Sequence, residues 1–202
     1  MPGSRWLDYR IKMSERAFNL PNVISLLRLA AVPVVGWLIL NSRWEAACWL
    51  FFAAAVSDGI DGFLARRLRQ MTQLGAALDS VADKALGLVT LVMLTLEQAI
   101  PVWVALAILV RDTIIVLGAL SYRGLAGHIE IHPTWLGKTH MAAEFTLLAL
   151  VLGGLAGFVA LEGWLEPLFT AVFVIAVVSG VQYVWIWTAK ARRERLATQP
   201  RR

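Results

Sequence analysis

Apolar residues along this 202-residue chain fall in long blocks separated by short polar connections. Six blocks stand out, near residues 22–41, 45–65, 74–96, 101–122, 136–158 and 166–188. Each approaches the roughly 20 mostly apolar residues that a helix needs to cross a bilayer core. The pattern predicts an all-α membrane protein, a bundle of six transmembrane helices, folded as a single domain over residues 1–202. No linker, low-complexity stretch or internal repeat interrupts it. Residues 4–18 mix charges with Trp6, Leu7, Ile11, Met13 and Phe18. They read as an N-terminal amphipathic helix on the membrane surface, with a solvated arm as the alternative. Residues 123–135 form the longest weakly apolar segment, a loop in which Pro133 ends any helix. The last thirteen residues are basic and expected to fray, within a cytoplasmic tail over 189–202.

Composition agrees. Hydrophobic residues make up 58% of the chain and charged residues only 16%, with a mean hydropathy of +0.65. A soluble domain of this length carries more charge. The first apolar block begins only after Pro21 and no A-x-A-like site follows it, so a cleavable signal peptide is not expected. Cys48 is the single cysteine, which rules out an internal disulfide.

The net charge of +5 is distributed asymmetrically. With the N-terminus in the cytoplasm, Arg5, Arg10, Lys12, Arg16, Arg66, Arg67, Arg69, Arg123, Lys138 and the tail from Lys190 all fall inside. Only Arg43 falls outside, with Glu45, Glu97, Glu162 and Glu166. This is the positive-inside pattern, and an even number of spans returns both termini to the cytoplasm. Basic residues spread over termini and loops suit anionic headgroups and argue against a nucleic-acid partner. Trp44, Trp103, Trp135, Trp164 and Trp187 lie near predicted span ends, as interfacial tryptophans do.

The chemistry lies in residues 57–84. Asp58 and Asp61 are spaced i,i+3, Asp79 and Asp83 i,i+4, at the ends of two otherwise apolar blocks. Ionisable groups at such depth are costly and face a cavity, a partner or an ion. Each pair projects from one helix face, and a short basic turn makes the two helices antiparallel neighbours. Four carboxylates can therefore converge. Oxygen-only donors suit hard cations such as Mg²⁺, Mn²⁺ or Ca²⁺, and no His or Cys nearby argues for zinc. Gly59, Gly62, Ala65 and Gly75 either pack helices closely or open a groove beside the carboxylates. Arg66 is within reach of that groove, and a guanidinium is a natural partner for a diphosphate. Thr72 offers a hydroxyl donor.

These residues resemble the signature D-x2-D-G-x2-A-R-x8-G-x3-D-x3-D of the CDP-alcohol phosphatidyltransferases. Asp58, Asp61, Gly62, Ala65, Arg66, Gly75, Asp79 and Asp83 supply every fixed position. Asn19, Pro21, Asn22, Ile24, Ser25 and Arg28 look like the opening of the first span in the glycerophospholipid branch. The resemblance implies a homodimeric enzyme of six transmembrane helices in a bacterial inner membrane, with its site open to the cytoplasm. It implies two divalent ions, Mg²⁺ or Mn²⁺, on Asp58, Asp61, Asp79 and Asp83, with Asp83 also the general base. Gly62, Ala65, Arg66, Thr72 and Gly75 would line the site for the CDP-lipid, here CDP-diacylglycerol, and Asn22 and Ser25 would approach the nucleotide.

The acceptor is read from Lys84, Arg111 and Lys138, cations suited to a phosphate. Arg111 also fits an ion pair with Asp112, and Lys138 a simple interfacial anchor. The stretches around Arg111, Arg123 and Pro133 to Lys138 look like the glycerol-based branch, and slightly more like its cardiolipin synthases than its phosphatidylglycerophosphate synthases. The implied acceptor is phosphatidylglycerol, with glycerol 3-phosphate as the alternative. His140 departs from the small or amide residue common in that branch. A divalent-cation transporter would explain the buried acids. It would not explain an arginine at a fixed offset from them.

Overall fold

A computed structural model of the chain describes residues 20–68, 73–126 and 134–197, with side chains described for 23–57, 78–118 and 134–189. These residues form six helices: α1 (Leu20–Leu40), α2 (Trp44–Leu68), α3 (Gln73–Leu96), α4 (Val102–Ala126), α5 (Trp135–Leu155) and α6 (Leu165–Ala197). Each coincides with one of the six apolar blocks. The expected helix over 4–18 and Thr72 lie outside the described residues.

Two stretches, Val23–Leu40 in α1 and Leu165–Ala189 in α6, are long and apolar enough to cross a membrane, and a shorter apolar run covers Trp44–Ser57 in α2. Ionisable residues interrupt the other apolar helices, among them Asp79 and Asp83 in α3, Arg111 and Asp112 in α4, and His140 and Glu144 in α5. The chain wears its apolar side chains outward. Trp37, Trp49, Val181 and Trp185 are each 60% or more exposed, an arrangement suited to lipid rather than water.

The residues divide into two compact units. The first comprises residues up to Glu97 together with Leu148–Ala160; the second comprises Gln98–Leu147 and the residues from Leu161. In the first, Ser42 adopts a left-handed φ of 54°, and the amides of Ser42 and Arg43 donate to the carbonyls of Ile39 and Leu38. That closure reverses the chain within three residues and sets α2 antiparallel to α1. Arg28 then meets Asp79, and Gly36 meets Val89, whose Cγ1 would lie 3.1 Å from a Cβ added to the glycine. Both sequence positions rise together, so α1 and α3 run parallel. Val32, Val35, Ile39, Phe51, Leu86 and Leu94 fill the core.

The second unit follows the same plan. Trp103 meets Phe173 edge-on at 5.1 Å, Arg111 meets Ser179, and Gly118 meets Trp187, so α4 and α6 are also parallel. A Cβ on Gly118 would lie 2.5 Å from the Trp187 ring nitrogen. Trp187 thus packs closely against Gly118, whereas Trp135 and Trp164 are 87% and 71% exposed at helix starts.

Three boundaries differ from expectation. The fifth helix ends at Leu155 and not near 158, because Gly157 turns left-handed (φ 76°). The fourth runs to Ala126, into the expected loop. The sixth continues to Ala197, well into the tail expected to fray. Its last turns are built from Ala, Lys, Arg, Glu and Leu, strong helix formers, and no Gly or Pro intervenes before Pro200. The resulting 33 residues extend about 50 Å, well beyond a bilayer core of about 30 Å.

The six-span expectation makes a labelling prediction. In a Cys48→Ala background, Glu162→Cys should react with an impermeant maleimide only from outside the cytoplasm, and Thr198→Cys only from the cytoplasm. Glu162 is preferable to Gly163, whose φ of 79° a cysteine would strain. Reaction of both from one side would contradict six spans.

Candidate active site

The carboxylate motif lies on the α2–α3 pair. Asp58, Asp61, Gly62, Ala65 and Arg66 belong to the C-terminal half of α2, and Gly75, Asp79 and Asp83 to the first three turns of α3. Four residues, 69–72, connect them. The two helices are in contact, and α1 packs against both.

Asp79 and Asp83 are half-buried on one face of α3, a turn apart. Arg28 of α1 reaches Asp79: its Nη1 donates to Oδ1 at 2.9 Å. Arg28 is only 2% exposed, while the Asp79 side chain is 38% exposed. Ser25, one turn before Arg28 on the same face of α1, is buried too. A helix that is otherwise apolar thus turns its two internal polar side chains inward. Arg28 carries a signal in the sequence, an arginine inside an apolar span, but its partner does not follow from spacing. Lys84 follows Asp83 directly, yet it is exposed, about 100° around the helix from it.

Among the described residues no group of three or more His, Cys, Asp or Glu side chains forms a metal cluster. The side chains of Asp58 and Asp61 lie outside the described set. What is described suits a hard cation. Asp79 and Asp83 are oxygen donors on one face, and Arg28 engages Oδ1 of Asp79, a contact of the kind that orients a ligand from behind. The motif's donors are all carboxylates, which is the chemistry such an ion takes.

The cations read as acceptor contacts are divided between the units. Lys84 belongs to the first unit, Arg111 and Lys138 to the second. Arg111 is buried. Its Nη1 donates to Asp112 at 2.6 Å, Nε and Nη2 donate to Ser179 Oγ at 3.3 and 3.2 Å, and its guanidinium lies 5.6 Å from the centre of the Tyr183 ring. The pairing with Asp112 is the alternative that the sequence left open. Lys138 is exposed, whereas Gly137 beside it is buried against Tyr183 and Arg111. Ser179, Tyr183 and Glu144 went unremarked in the sequence. Glu144 had a readable signal, an acid four residues beyond a histidine within an apolar block.

A family model described as CDP-alcohol phosphatidyltransferase matches residues 18–182. The chain belongs to that family. A cardiolipin synthase (CMP-forming) of Streptomyces coelicolor is 35% identical over 164 residues, which cover 75% of each chain. The cardiolipin synthase (CMP-forming) of Rattus norvegicus is 32% identical over 169 residues, covering 75% of this chain and 56% of the rat protein. A CDP-diacylglycerol–glycerol-3-phosphate 3-phosphatidyltransferase of Escherichia coli is 32% identical over 185 residues, 89% of this chain and 98% of the relative. The protein is therefore a phosphatidyltransferase, and the motif on α2 and α3 is its candidate active site.

The Arg28–Asp79 pair can be tested directly. Arg28→Gln should lower the stability of the purified phosphatidyltransferase by about 1.5–2 kcal/mol, the lower part of the range for a hydrogen bond to a charged group because Asp79 keeps access to water. Thermal unfolding in detergent measures it. Arg28→Lys, which keeps the charge but not the fork, should recover only part. An unchanged Tm in Arg28→Gln would show that the pair bears no load.

Proposed function

We propose that this phosphatidyltransferase is a multi-pass membrane enzyme of phospholipid synthesis. It transfers a phosphatidyl group from CDP-diacylglycerol to the glycerol hydroxyl of phosphatidylglycerol, with release of CMP, as a cardiolipin synthase does. The observation that carries the reading is the complete eight-residue motif, placed on two contacting helices with Asp79 held by a buried arginine. The Streptomyces coelicolor and rat relatives support the lipid acceptor. The Escherichia coli relative, nearly all of whose length the chain covers, supports glycerol 3-phosphate as the alternative.

In this reading Asp58, Asp61, Asp79 and Asp83 hold two divalent ions, Mg²⁺ or Mn²⁺, which when bound neutralise the diphosphate and make CMP a better leaving group. Arg66 grips the diphosphate with its planar fork, and Thr72 adds a hydroxyl donor. Gly62, Ala65 and Gly75 leave room for the CDP group, and Asn22 and Ser25 approach the nucleotide from α1. Asp83 takes the proton of the acceptor hydroxyl. The acceptor oxygen then bonds to the lipid-bearing phosphorus, the bond from that phosphorus to the bridging oxygen breaks, and CMP departs with the electron pair. Lys84, Arg111 and Lys138 serve the acceptor phosphate. Six spans put both termini and the site on the cytoplasmic side of an inner membrane, and two copies pair as a homodimer.

A CMP-release assay on purified protein, with CDP-diacylglycerol and a panel of alcohols, tests the assignment. Release should require phosphatidylglycerol or glycerol 3-phosphate and Mg²⁺ or Mn²⁺. It should stop with excess chelator, and Asp58→Asn, Asp61→Asn and Asp79→Asn should each abolish turnover. Full activity in chelator would refute the metal assignment.

Asp83→Asn separates base from ligand. Loss of a general base slows transfer roughly 10²–10⁴-fold while CDP-diacylglycerol binding persists. If added Mn²⁺ restores full turnover, Asp83 is a ligand only.

A further inference from the structure

The second unit holds a polar cluster that the carboxylate chemistry does not use. His140 and Glu144 occupy successive turns of α5, and both are buried. His140 has no exposed surface, and neither of its ring nitrogens has a hydrogen-bond partner among the described residues. Its Nδ1 faces Glu144 Oε2 at 3.8 Å, too far for a hydrogen bond. One turn earlier on the same face stands Gly137. A Cβ there would lie 2.8 Å from the Tyr183 hydroxyl and 3.6 Å from Arg111 Nη2. Arg111 and Asp112 are also within Coulombic reach of the imidazole. Side chains of α4, α5 and α6 thus bring a guanidinium, an imidazole, a carboxylate and a phenol to one small region.

Burying an imidazole with both nitrogens unpaired is unfavourable. A leucine would fill the same space without that cost. Such a group is retained where a ligand uses it. A neutral imidazole offers one donor and one acceptor, the complement of an alcohol, which also does both. A guanidinium beside it suits a phosphate ester.

We propose that His140 is a specificity-determining contact for the acceptor: its imidazole hydrogen-bonds a hydroxyl of a glycerol phosphate group. This inference rests on the transferase reading above and deepens it. Glycerol phosphate occurs as a soluble monoester, glycerol 3-phosphate, and as a lipid diester, phosphatidylglycerol, and the chemistry of the site is shared by both.

The experiment uses the full-length enzyme with saturating CDP-diacylglycerol, varying each acceptor in turn. In His140→Leu the KM for the acceptor should rise about tenfold, as expected when a hydrogen bond in a buried site is lost. The KM for CDP-diacylglycerol should stay unchanged, and the Tm in detergent should equal or exceed that of wild type. His140→Asn keeps a donor and an acceptor and should recover part of the affinity. A rise confined to glycerol 3-phosphate assigns the monoester; one confined to phosphatidylglycerol assigns the diester. An unchanged acceptor KM in His140→Leu overturns the proposal, as does a lowered Tm with both substrates affected alike. If wild type releases no CMP with either acceptor, the function proposed above fails by itself. Thermal protection then decides the role of His140: protection of wild type but not of His140→Leu by glycerol 3-phosphate supports it, and no difference between them overturns it.

Discussion

A charge placed inside an apolar helix bundle must be matched, and that requirement organises both halves of this protein. In the first unit the match is Arg28 to Asp79 at 2.9 Å. A buried guanidinium cannot shed its charge, so α1 packs only where a carboxylate can meet it. Once Arg28 and Asp79 are paired, Gly36 falls opposite Val89 and admits the close approach of α1 and α3. The pair therefore sets helix register as well as the orientation of an aspartate of the family motif.

The second unit repeats the device. Arg111 is matched by Asp112 and Ser179, and its guanidinium lies over Tyr183. The aromatic contact of Trp103 with Phe173 and the close approach at Gly118 lie on either side of it along the same helix pair. In both units an arginine and a glycine on one helix fix its alignment to a parallel neighbour, the glycine two turns beyond the arginine. Small residues and buried polar contacts are what remain to specify helix packing where the surroundings are as apolar as the core.

The two arginines differ in what they leave for chemistry. Arg28 pairs with a half-exposed carboxylate, whereas Arg111 lies near a fully buried histidine whose ring nitrogens have no hydrogen-bond partner among the described residues. The first is the pattern of a ligand held in place. The second is the arrangement on which the proposed acceptor contact rests. Matching a charge and reserving a polar group are opposite solutions to the same energetic problem, and this chain uses one in each unit.

Much of this was legible in the sequence because it depends on composition and on spacing along one helix. Six apolar blocks became six helices, since length and hydropathy are local properties. The motif from Asp58 to Asp83 pointed to its family because its eight residues match the family signature at every fixed position. The continuation of α6 to Ala197 has a local cause as well, its run of helix-forming residues. The partners were not legible. Nothing in the spacing joins Arg28 to Asp79, 51 positions away, or Arg111 to Ser179, 68 positions away. Nor does it show that Trp187 fills the space left by Gly118, or that Lys84 is exposed while Asp83 beside it is half-buried. Those facts depend on which faces of different helices meet. Only the packed structure decides that, because it must satisfy every buried charge and every close approach at once.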